Sequence, residues 1–265
     1  MLEISSTKNP RVKNLNLLQT KSKARKEQGL FVIEGIKEHE LLFKSDYQLH
    51  EAYICNDIID NETVNFVKAN FDSNSIFEVT KAVFEKIAYR NTTGGIVSTA
   101  YSKEYSLQDL DNISNPLYLV AESIEKPGNI GALLRTADAA KVDALIICDP
   151  KTDFFNPNVI RSSLGCVFTT RIISCTSDEA QEYFKKSETN VYCAALTASE
   201  RYDKIDYQKP SAIVFGTEST GLTDSWLNIS TQNIIIPMQG MIDSLNISVS
   251  AAIITFEAKR QRGFK

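Results

Sequence analysis

The side chains of this sequence that are best suited to chemistry lie in three short polar stretches. Asn129 and Arg135 are six residues apart in the first stretch, and Glu218 lies between two glycines in the second. Ser244 and Asn246 lie in the third. Guanidinium, carboxylate, hydroxyl and amide groups can together surround a small polar ligand. Taken one at a time, each stretch could equally be an ordinary loop, and Arg135 could form a surface salt bridge.

Each polar stretch follows an apolar run that predicts a buried strand. The runs cover residues 117–121, 212–215 and 233–236. Ligands bind beyond the carboxyl ends of strands in α/β sheets, so the three stretches are candidate ligand loops. Asn129 suits the N-cap of the following helix, and Ser244 or Asn246 suits that of the last helix. The glycine spacing is neither GxGxxG nor GxxxxGK, which excludes the dinucleotide and P-loop motifs.

The composition excludes several other classes of site. Only two histidines, His39 and His50, are present, so a Ser-His-Asp hydrolase in the last two thirds of the chain would lack its base. The five cysteines include no CxxC pair, which indicates reduced thiols and argues against a zinc site. No run approaches the roughly 20 apolar residues of a membrane span. The polar N-terminus has no signal-peptide core. We therefore expect a cytoplasmic protein with no metal and no membrane partner.

The charge distribution is more informative than the net charge of −4. Residues 8–26 contain seven basic side chains and no acidic one. Such a run is either a solvated helical face or a patch that contacts phosphates.

Two regions of alternating strands and helices are separated by a polar stretch. Residues 1–105 predict a small α/β domain, residues 106–115 a linker, and residues 116–265 a larger domain. In the larger domain, continuous apolar runs predict strands buried on both faces. The expected fold is therefore α/β, with a mostly parallel sheet covered by helices.

The three polar stretches, in this order, resemble the motifs of the SpoU/TrmH family of RNA ribose 2′-O-methyltransferases, within the SPOUT superfamily. The matching residues are Asn129, Gly131 and Arg135 in the first motif, Gly216, Glu218 and Gly221 in the second, and Pro237, Ser244, Leu245, Asn246 and Ser248 in the third. Residues 161–165 are similar to the family's segment between the first two motifs. The first hundred residues resemble its substrate-binding domain, an RNA-binding α/β fold of ribosomal-protein type, most clearly over residues 23–35.

The resemblance implies a fold, a methyl donor and an assembly. It implies that the C-terminal sheet carries a deep trefoil knot, which shapes a cleft for S-adenosylmethionine. By the same resemblance, the cofactor-binding residues are Leu196, Thr197, Gly216, Ile236 and Leu245. It also implies a homodimer in which each active site combines residues of both protomers.

The resemblance further implies the role of each candidate catalytic residue in methyl transfer to a ribose 2′-hydroxyl. Arg135 would hold or activate the hydroxyl and the adjacent phosphate, and Asn129 would orient the ribose or Arg135. Glu218 would fix Arg135 in place. Ser244 and Asn246 would shape the donor pocket and the substrate side.

The basic run then acquires a role in binding RNA. Its candidate phosphate contacts are Lys21, Lys23, Arg25 and Lys26. A separate RNA-binding domain is typical of enzymes that modify rRNA, although tRNA enzymes share the catalytic motifs. Two alternatives remain: a base methyltransferase, which typically uses a carboxylate near the target nitrogen, and a non-catalytic RNA-binding or assembly protein.

Overall fold

The computed structural model describes residues 2–89, 94–197 and 199–264, which divide into two compact units. The first unit extends to Lys103 and also includes Asp153–Thr169. The second unit comprises Glu104–Thr152 and the chain from Thr170 onwards.

The first unit is built on a mixed sheet. Its strands in the described residues are β1 (Leu2–Ile4), β2 (Leu30–Glu34), β3 (Leu49–Ile54), β4 (Ile76–Val79) and β5 (Ile96–Tyr101), in the order β1-β4-β3-β5-β2. Strand β5 runs antiparallel to β2 and β3, whereas β4 runs parallel to β1 and β3. Its first helices are α1 (Pro10–Thr20), α2 (Ser22–Gln28), α3 (Ile36–Leu42), α4 (Asn61–Asn70) and α5 (Lys81–Ile87).

Helix α1 shows how the sequence determines the first unit. Asn9 caps the helix by accepting a hydrogen bond from the Arg11 amide at 2.9 Å, and Pro10 occupies the first turn, where no intrahelical N–H partner is needed. Val12, Leu15 and Leu18 recur at helical spacing and are all buried in the core. The basic residues of α1 are consequently left on its other faces.

The second unit is built on a parallel sheet, as predicted. Its strands in the described residues are β6 (Leu117–Glu122), β7 (Ala144–Cys148), β8 (Ile172–Cys175), β9 (Asn190–Ala194), β10 (Glu200–Arg201), β11 (Ser211–Phe215) and β12 (Gln232–Ile235), in the order β10-β12-β9-β11-β6-β7-β8. Every neighbouring pair in that order is parallel. The remaining helices are α6 (Pro127–Ala139), α7 (Pro157–Ser162), α8 (Ser177–Lys186), α9 (Asp224–Ile229) and α10 (Ile247–Gln261), of which α7 lies in the first unit.

The central strands of the second unit confirm the interpretation of continuous apolar runs. Every residue of β6, β7 and β11 is buried. Helices cover the sheet, and Trp226 of α9 is fully buried in one of its cores. Burial on both faces explains why these strands show no alternation of polar and apolar residues.

Two segments differ from the predicted linear division. Within residues 106–115, expected to be a linker, Leu107 and Leu110 are buried in a core of the second unit. The segment Asp153–Thr169 joins the first unit because Phe155 and Phe168 stack on Phe31, with ring centroids 4.5 Å and 5.8 Å away. Neither association can be recognised from residues that lie close together in the sequence.

Candidate functional site

The three motif loops meet at the carboxyl ends of strands β6, β11 and β12 in the second unit. The Glu218 carboxylate is the point where they join. Its Oε1 accepts hydrogen bonds from the side-chain amides of Asn246 at 2.6 Å and Asn129 at 3.2 Å. The Asn246 amide also lies 3.3 Å from the Asn129 Oδ1, and the Lys126 ammonium forms an ion pair with Glu218 Oε2. We call Lys126, Asn129, Glu218 and Asn246 the polar cluster.

The loop that carries Glu218 requires glycine at its first position. A Cβ atom on Gly216 would lie only 2.1 Å from the backbone carbon of Gly221, so the two backbones are in direct contact. Thr217 and Gly221 exchange backbone hydrogen bonds of 3.1 Å in both directions, and Gly221 has a φ of +70°. The tight loop fixes Glu218 next to the end of strand β11.

Asn246 has two structural partners at once. Its Oδ1 accepts from the backbone amide of Ser248 at 3.0 Å and from the Ser248 hydroxyl at 2.6 Å, so it caps helix α10. Its Nδ2 meanwhile donates to the polar cluster. The cap thus fixes the orientation of the amide that reaches Glu218. Ser244, the other candidate cap, instead donates to Asp243 at 2.9 Å.

A cleft of about 770 Å³ adjoins the polar cluster within the second unit. All five residues predicted to bind the cofactor line it: Leu196, Thr197, Gly216, Ile236 and Leu245. Glu218, Ser244 and Asn246 also line the cleft, and Asn129 is linked to it through its hydrogen bonds. The volume lies in the usual range of small-molecule sites, about 300–1,000 Å³.

Arg135 does not join the polar cluster. It lies six residues after Asn129 on α6, and at 3.6 residues per turn the two side chains leave the helix about 120° apart. Arg135 is exposed, and among the described residues no hydrogen bond or ion pair reaches its side chain. The expected pairing of Glu218 with Arg135 is therefore wrong for this structure, because the amides and Lys126 already surround the carboxylate.

Lys126 and Glu122 are residues of this site that the sequence analysis missed. Lys126, followed by Asn129, is the main cause that holds the pKa of the Glu218 carboxyl below its usual range. Glu122, at the end of β6, is buried and accepts from the backbone amide and the hydroxyl of Thr223 at 3.0 Å and 2.7 Å. These hydrogen bonds connect Thr223, which follows the Gly216–Leu222 loop, to the end of β6, where the loop that carries Lys126 begins. The position of Lys126 just before helix α6 could have identified it as a site residue. No local pattern in the sequence indicates that Glu122 is buried beside the site.

The candidate RNA-binding residues of the first unit fall into two groups. Lys21, Lys23 and Lys26 are exposed, and Lys23 lies 3.7 Å from Glu27. Arg25 is only 5% exposed, and its guanidinium donates to Asp153 at 2.6 Å and to the Leu18 carbonyl at 2.5 Å. We therefore remove Arg25 from the candidate RNA contacts, because its charge is already paired inside the unit.

Within residues 2–89, 94–197 and 199–264, no cluster of three or more histidine, cysteine, aspartate or glutamate side chains is arranged to hold a metal ion. Among the helices described, none has both the length and the apolar character needed to cross a membrane.

Family models match both regions of the chain. Residues 116–256 match the model of the SpoU rRNA Methylase family, and residues 9–98 match that of the MRM3-like substrate binding domain. The first match includes all of the polar cluster and every residue predicted to bind the cofactor.

Similar proteins and structures agree with these matches. The chain is 27% identical over 260 residues to the 23S rRNA (guanosine(2553)-2′-O)-methyltransferase RlmP of Bacillus subtilis, covering 98% of this chain and 100% of that protein. It is 36% identical over 148 residues, 55% of this chain and 75% of the relative, to a tRNA (guanosine(18)-2′-O)-methyltransferase of Thermus thermophilus. The AdoMet-bound rRNA methyltransferase structure from Sinorhizobium meliloti superposes with a TM-score of 0.89 and 27% identity, covering 97% of each chain. A crystal structure of an RNA 2′-O ribose methyltransferase superposes with a TM-score of 0.85 and 36% identity, covering 98% of this chain and 99% of that one.

Proposed function

Because the chain belongs to the SpoU rRNA methylase family, we propose that it transfers a methyl group from S-adenosylmethionine to a ribose 2′-hydroxyl in ribosomal RNA. The observation that carries this proposal is the polar cluster around Glu218, which joins three motif loops beside a cleft of suitable size. The full-length similarity to a 23S rRNA methyltransferase favours rRNA over tRNA as the substrate.

The residues lining the cleft fit the proposed donor. Ile236 and Leu245 supply apolar surface for a base, while the backbone at Gly216 is open to approach because that residue has no side chain. Leu196 and Thr197 complete the candidate binding set. When bound there, S-adenosylmethionine supplies an activated methyl group on a sulfonium.

The protein's own contribution would be to align the ribose with the donor. As the hydroxyl oxygen bonds to the methyl carbon, the carbon–sulfur bond would break to leave a neutral thioether and the hydroxyl proton would pass to solvent, so the reaction requires mainly an in-line approach. Asn129 and Asn246, which both donate to Glu218, would orient the ribose next to the cleft. Ser244 lies on the cleft wall beside them. Arg135 would fork to the hydroxyl and the adjacent phosphate.

Arg135 is proposed to act across a homodimer interface. Its side chain is exposed, lies about 120° around α6 from Asn129, and is absent from the cleft lining of its own chain. Val249 and Phe256, seven residues apart on one face of α10, remain 46% and 41% exposed, which supports an apolar contact between two copies. In such a dimer, Arg135 of one protomer would complete the cleft of its partner.

A mixing experiment tests both the dimer and the activity. Arg135→Ala and Glu218→Gln are each expected to lose methylation of unmodified rRNA transcripts. Heterodimers of the two would contain one intact composite site, so a refolded equal mixture should recover up to about a quarter of wild-type activity. No recovery in confirmed heterodimers would show that Arg135 acts within its own chain. A wild-type protein that is monomeric by analytical ultracentrifugation would exclude the composite site.

The substrate is tested by mapping 2′-O-methylated nucleotides in RNA from cells with and without the protein. A missing site in rRNA supports the proposal, whereas a missing site in tRNA identifies a tRNA enzyme. The non-catalytic alternative is tested by calorimetric titration with S-adenosylmethionine, because a purely RNA-binding protein would release no heat. Methylation on a base nitrogen would identify the base-methyltransferase alternative.

Three further features are part of the proposal. We propose a trefoil knot in the second unit, because the chain belongs to the SpoU rRNA methylase family and its sequence motifs resemble those of knotted members. Mechanical extension of the unfolded chain should then give a contour length shorter than that of an unknotted chain.

We also assign substrate binding to the domain at residues 1–105 and catalysis to the domain at residues 116–265. The expected location of the protein is the cytoplasm.

A further inference from the structure

The Lys126–Glu218 ion pair is poorly placed to stabilise the fold. The Lys126 side chain is 70% exposed and that of Glu218 is 34% exposed. Exposed pairs of this kind contribute little to the free energy of unfolding, because water screens the charges and a long side chain loses rotamer freedom. Lys126 is itself the N-cap residue of α6 and forms no side-chain cap hydrogen bond with that helix. Its position is therefore better explained by the site than by stability.

Charge at the polar cluster provides that explanation. Glu218 places a negative charge where the proposed reaction must receive an RNA backbone, which is also negative. The two amides that bind Glu218 are neutral, so Lys126 is the group of the polar cluster that offsets the charge. Its ammonium has three N–H donors, of which the contact with Glu218 uses one. The other donors belong to a side chain that is mostly in solvent.

We propose that Lys126 bridges Glu218 and a phosphate of the target RNA, so that it places both the carboxylate and the nucleotide to be methylated. This assignment rests on the proposed function. Lys126 differs from the lysines of the first unit because it lies at the cleft itself, within the second unit. It also differs from Arg135, which forms no contact with the polar cluster among the described residues.

The chain offers a matched control in Lys151. This lysine also lies in the second unit, is 55% exposed, and pairs with a loop glutamate, Glu125, at 3.0 Å. It is not among the residues that line the cleft. Lys126→Met and Lys151→Met therefore remove the same charge and the same type of ion pair at two positions of the second unit.

The test measures RNA binding and methylation separately, with unmodified rRNA transcripts. In Lys126→Met, the slope of log affinity against log salt should become shallower by about 0.7–0.9, the value for one lost phosphate contact. The KM for RNA should rise about three- to tenfold, with S-adenosylmethionine affinity unchanged. Lys126→Arg should restore the salt slope, and Lys151→Met should match the wild type.

An unchanged salt slope in Lys126→Met would overturn the phosphate contact, even if kcat fell. An equal change in Lys151→Met would also overturn it, since the effect would then be general charge. If wild-type protein methylated no RNA ribose, the proposed function would fail. The binding slopes would still decide the role of Lys126, because they do not depend on turnover.

Discussion

Two ion pairs, one in each unit, show how differently a basic side chain can be used. In the first unit, the Arg25 and Asp153 side chains are 5% and 12% exposed, and Arg25 also donates to the Leu18 carbonyl. In the second unit, Lys126 and Glu218 are 70% and 34% exposed beside a cleft. The buried pair holds Asp153–Thr169 to the first unit, whereas the exposed pair can exchange partners with a ligand. Basic residues thus differ in role according to burial, and their sequence context does not reveal it.

The largest effect should come from breaking the buried pair. Arg25→Met removes the cation from the mostly buried Asp153 carboxylate, which keeps its hydrogen bonds from the Ser22 hydroxyl and the Phe155 amide, so the cost should lie near the lower end of the typical range of about 3–5 kcal/mol. We expect a loss of this size in the free energy of unfolding, measured by urea denaturation followed with a probe in the first unit. The neighbouring exposed lysine provides the control, since Lys26→Met should change the value by less than about 0.5 kcal/mol. Equal effects of the two substitutions would contradict the assignment of Arg25 to the core.

The next effect is a dependence of the stability of the first unit on pH. Burial lowers the pKa of His39 from 6.5 to about 4, while its ring contacts the Gly35 carbonyl and the Ser98 hydroxyl. The unfolded chain therefore binds a proton that the folded chain does not between these values. The contribution of neutral His39 to the free energy of unfolding of the first unit is fully present above about pH 6.5. It decreases by about 3 kcal/mol as the pH falls towards 4.

Urea denaturation at pH 7 and pH 5 measures this pH dependence. His39→Gln should remove most of it, whereas His50→Gln, at the other histidine, should retain it. A first unit that is equally stable at both pH values in the wild type would exclude a neutral buried His39.

A third substitution separates the two roles of Asn246. Asn246→Asp keeps the oxygen that caps α10 but replaces the amide donor with a carboxylate next to Glu218. We expect a folded protein whose methylation rate is reduced about 100-fold, because displacing reacting groups by about 1 Å has effects of this size. Asn246→Ala should lose the cap as well, at about 1 kcal/mol of stability. Full activity of Asn246→Asp would show that the polar cluster does not position the substrate.

The smallest effect concerns the exposed lysines of the first unit. Replacing Lys21, Lys23 and Lys26 with glutamine should weaken RNA binding and make its salt dependence shallower by about two, if each contacts one phosphate of single-stranded RNA. The methylation rate at saturating RNA should be unchanged. Replacement of Lys185 and Lys186, exposed on α8 of the second unit, controls for net charge. An unchanged slope of log affinity against log salt in the triple variant would show that these lysines form a solvated helical face and do not contact phosphates.

Much of the second unit could be predicted from the sequence. The apolar runs at residues 117–121 and 212–215 correspond to strands β6 and β11, and the loops after them carry Lys126, Asn129 and Glu218 of the polar cluster. The pairing of Glu218 was not predictable. Arg135 and Lys126 are both basic residues of the same stretch, and only the geometry of α6 places Lys126 rather than Arg135 beside the carboxylate.

The sequence by itself determined the strands, the cap of the last helix and the family motifs, because these depend on residues close together in the chain. The expected N-cap at Asn129 was wrong, because α6 already begins at Pro127 and Asn129 lies inside its first turn. Continuous apolar runs predict strands buried on both faces. The Asn246 side chain caps α10 by accepting a hydrogen bond from the backbone amide of Ser248, two residues further along the chain. The tertiary structure alone decided which charges are paired. Arg25 and Asp153 are 128 residues apart, and Lys126 and Glu218 are 92 apart. Whether such a pair is buried or exposed depends on the packing of distant segments, which local patterns of residues do not report.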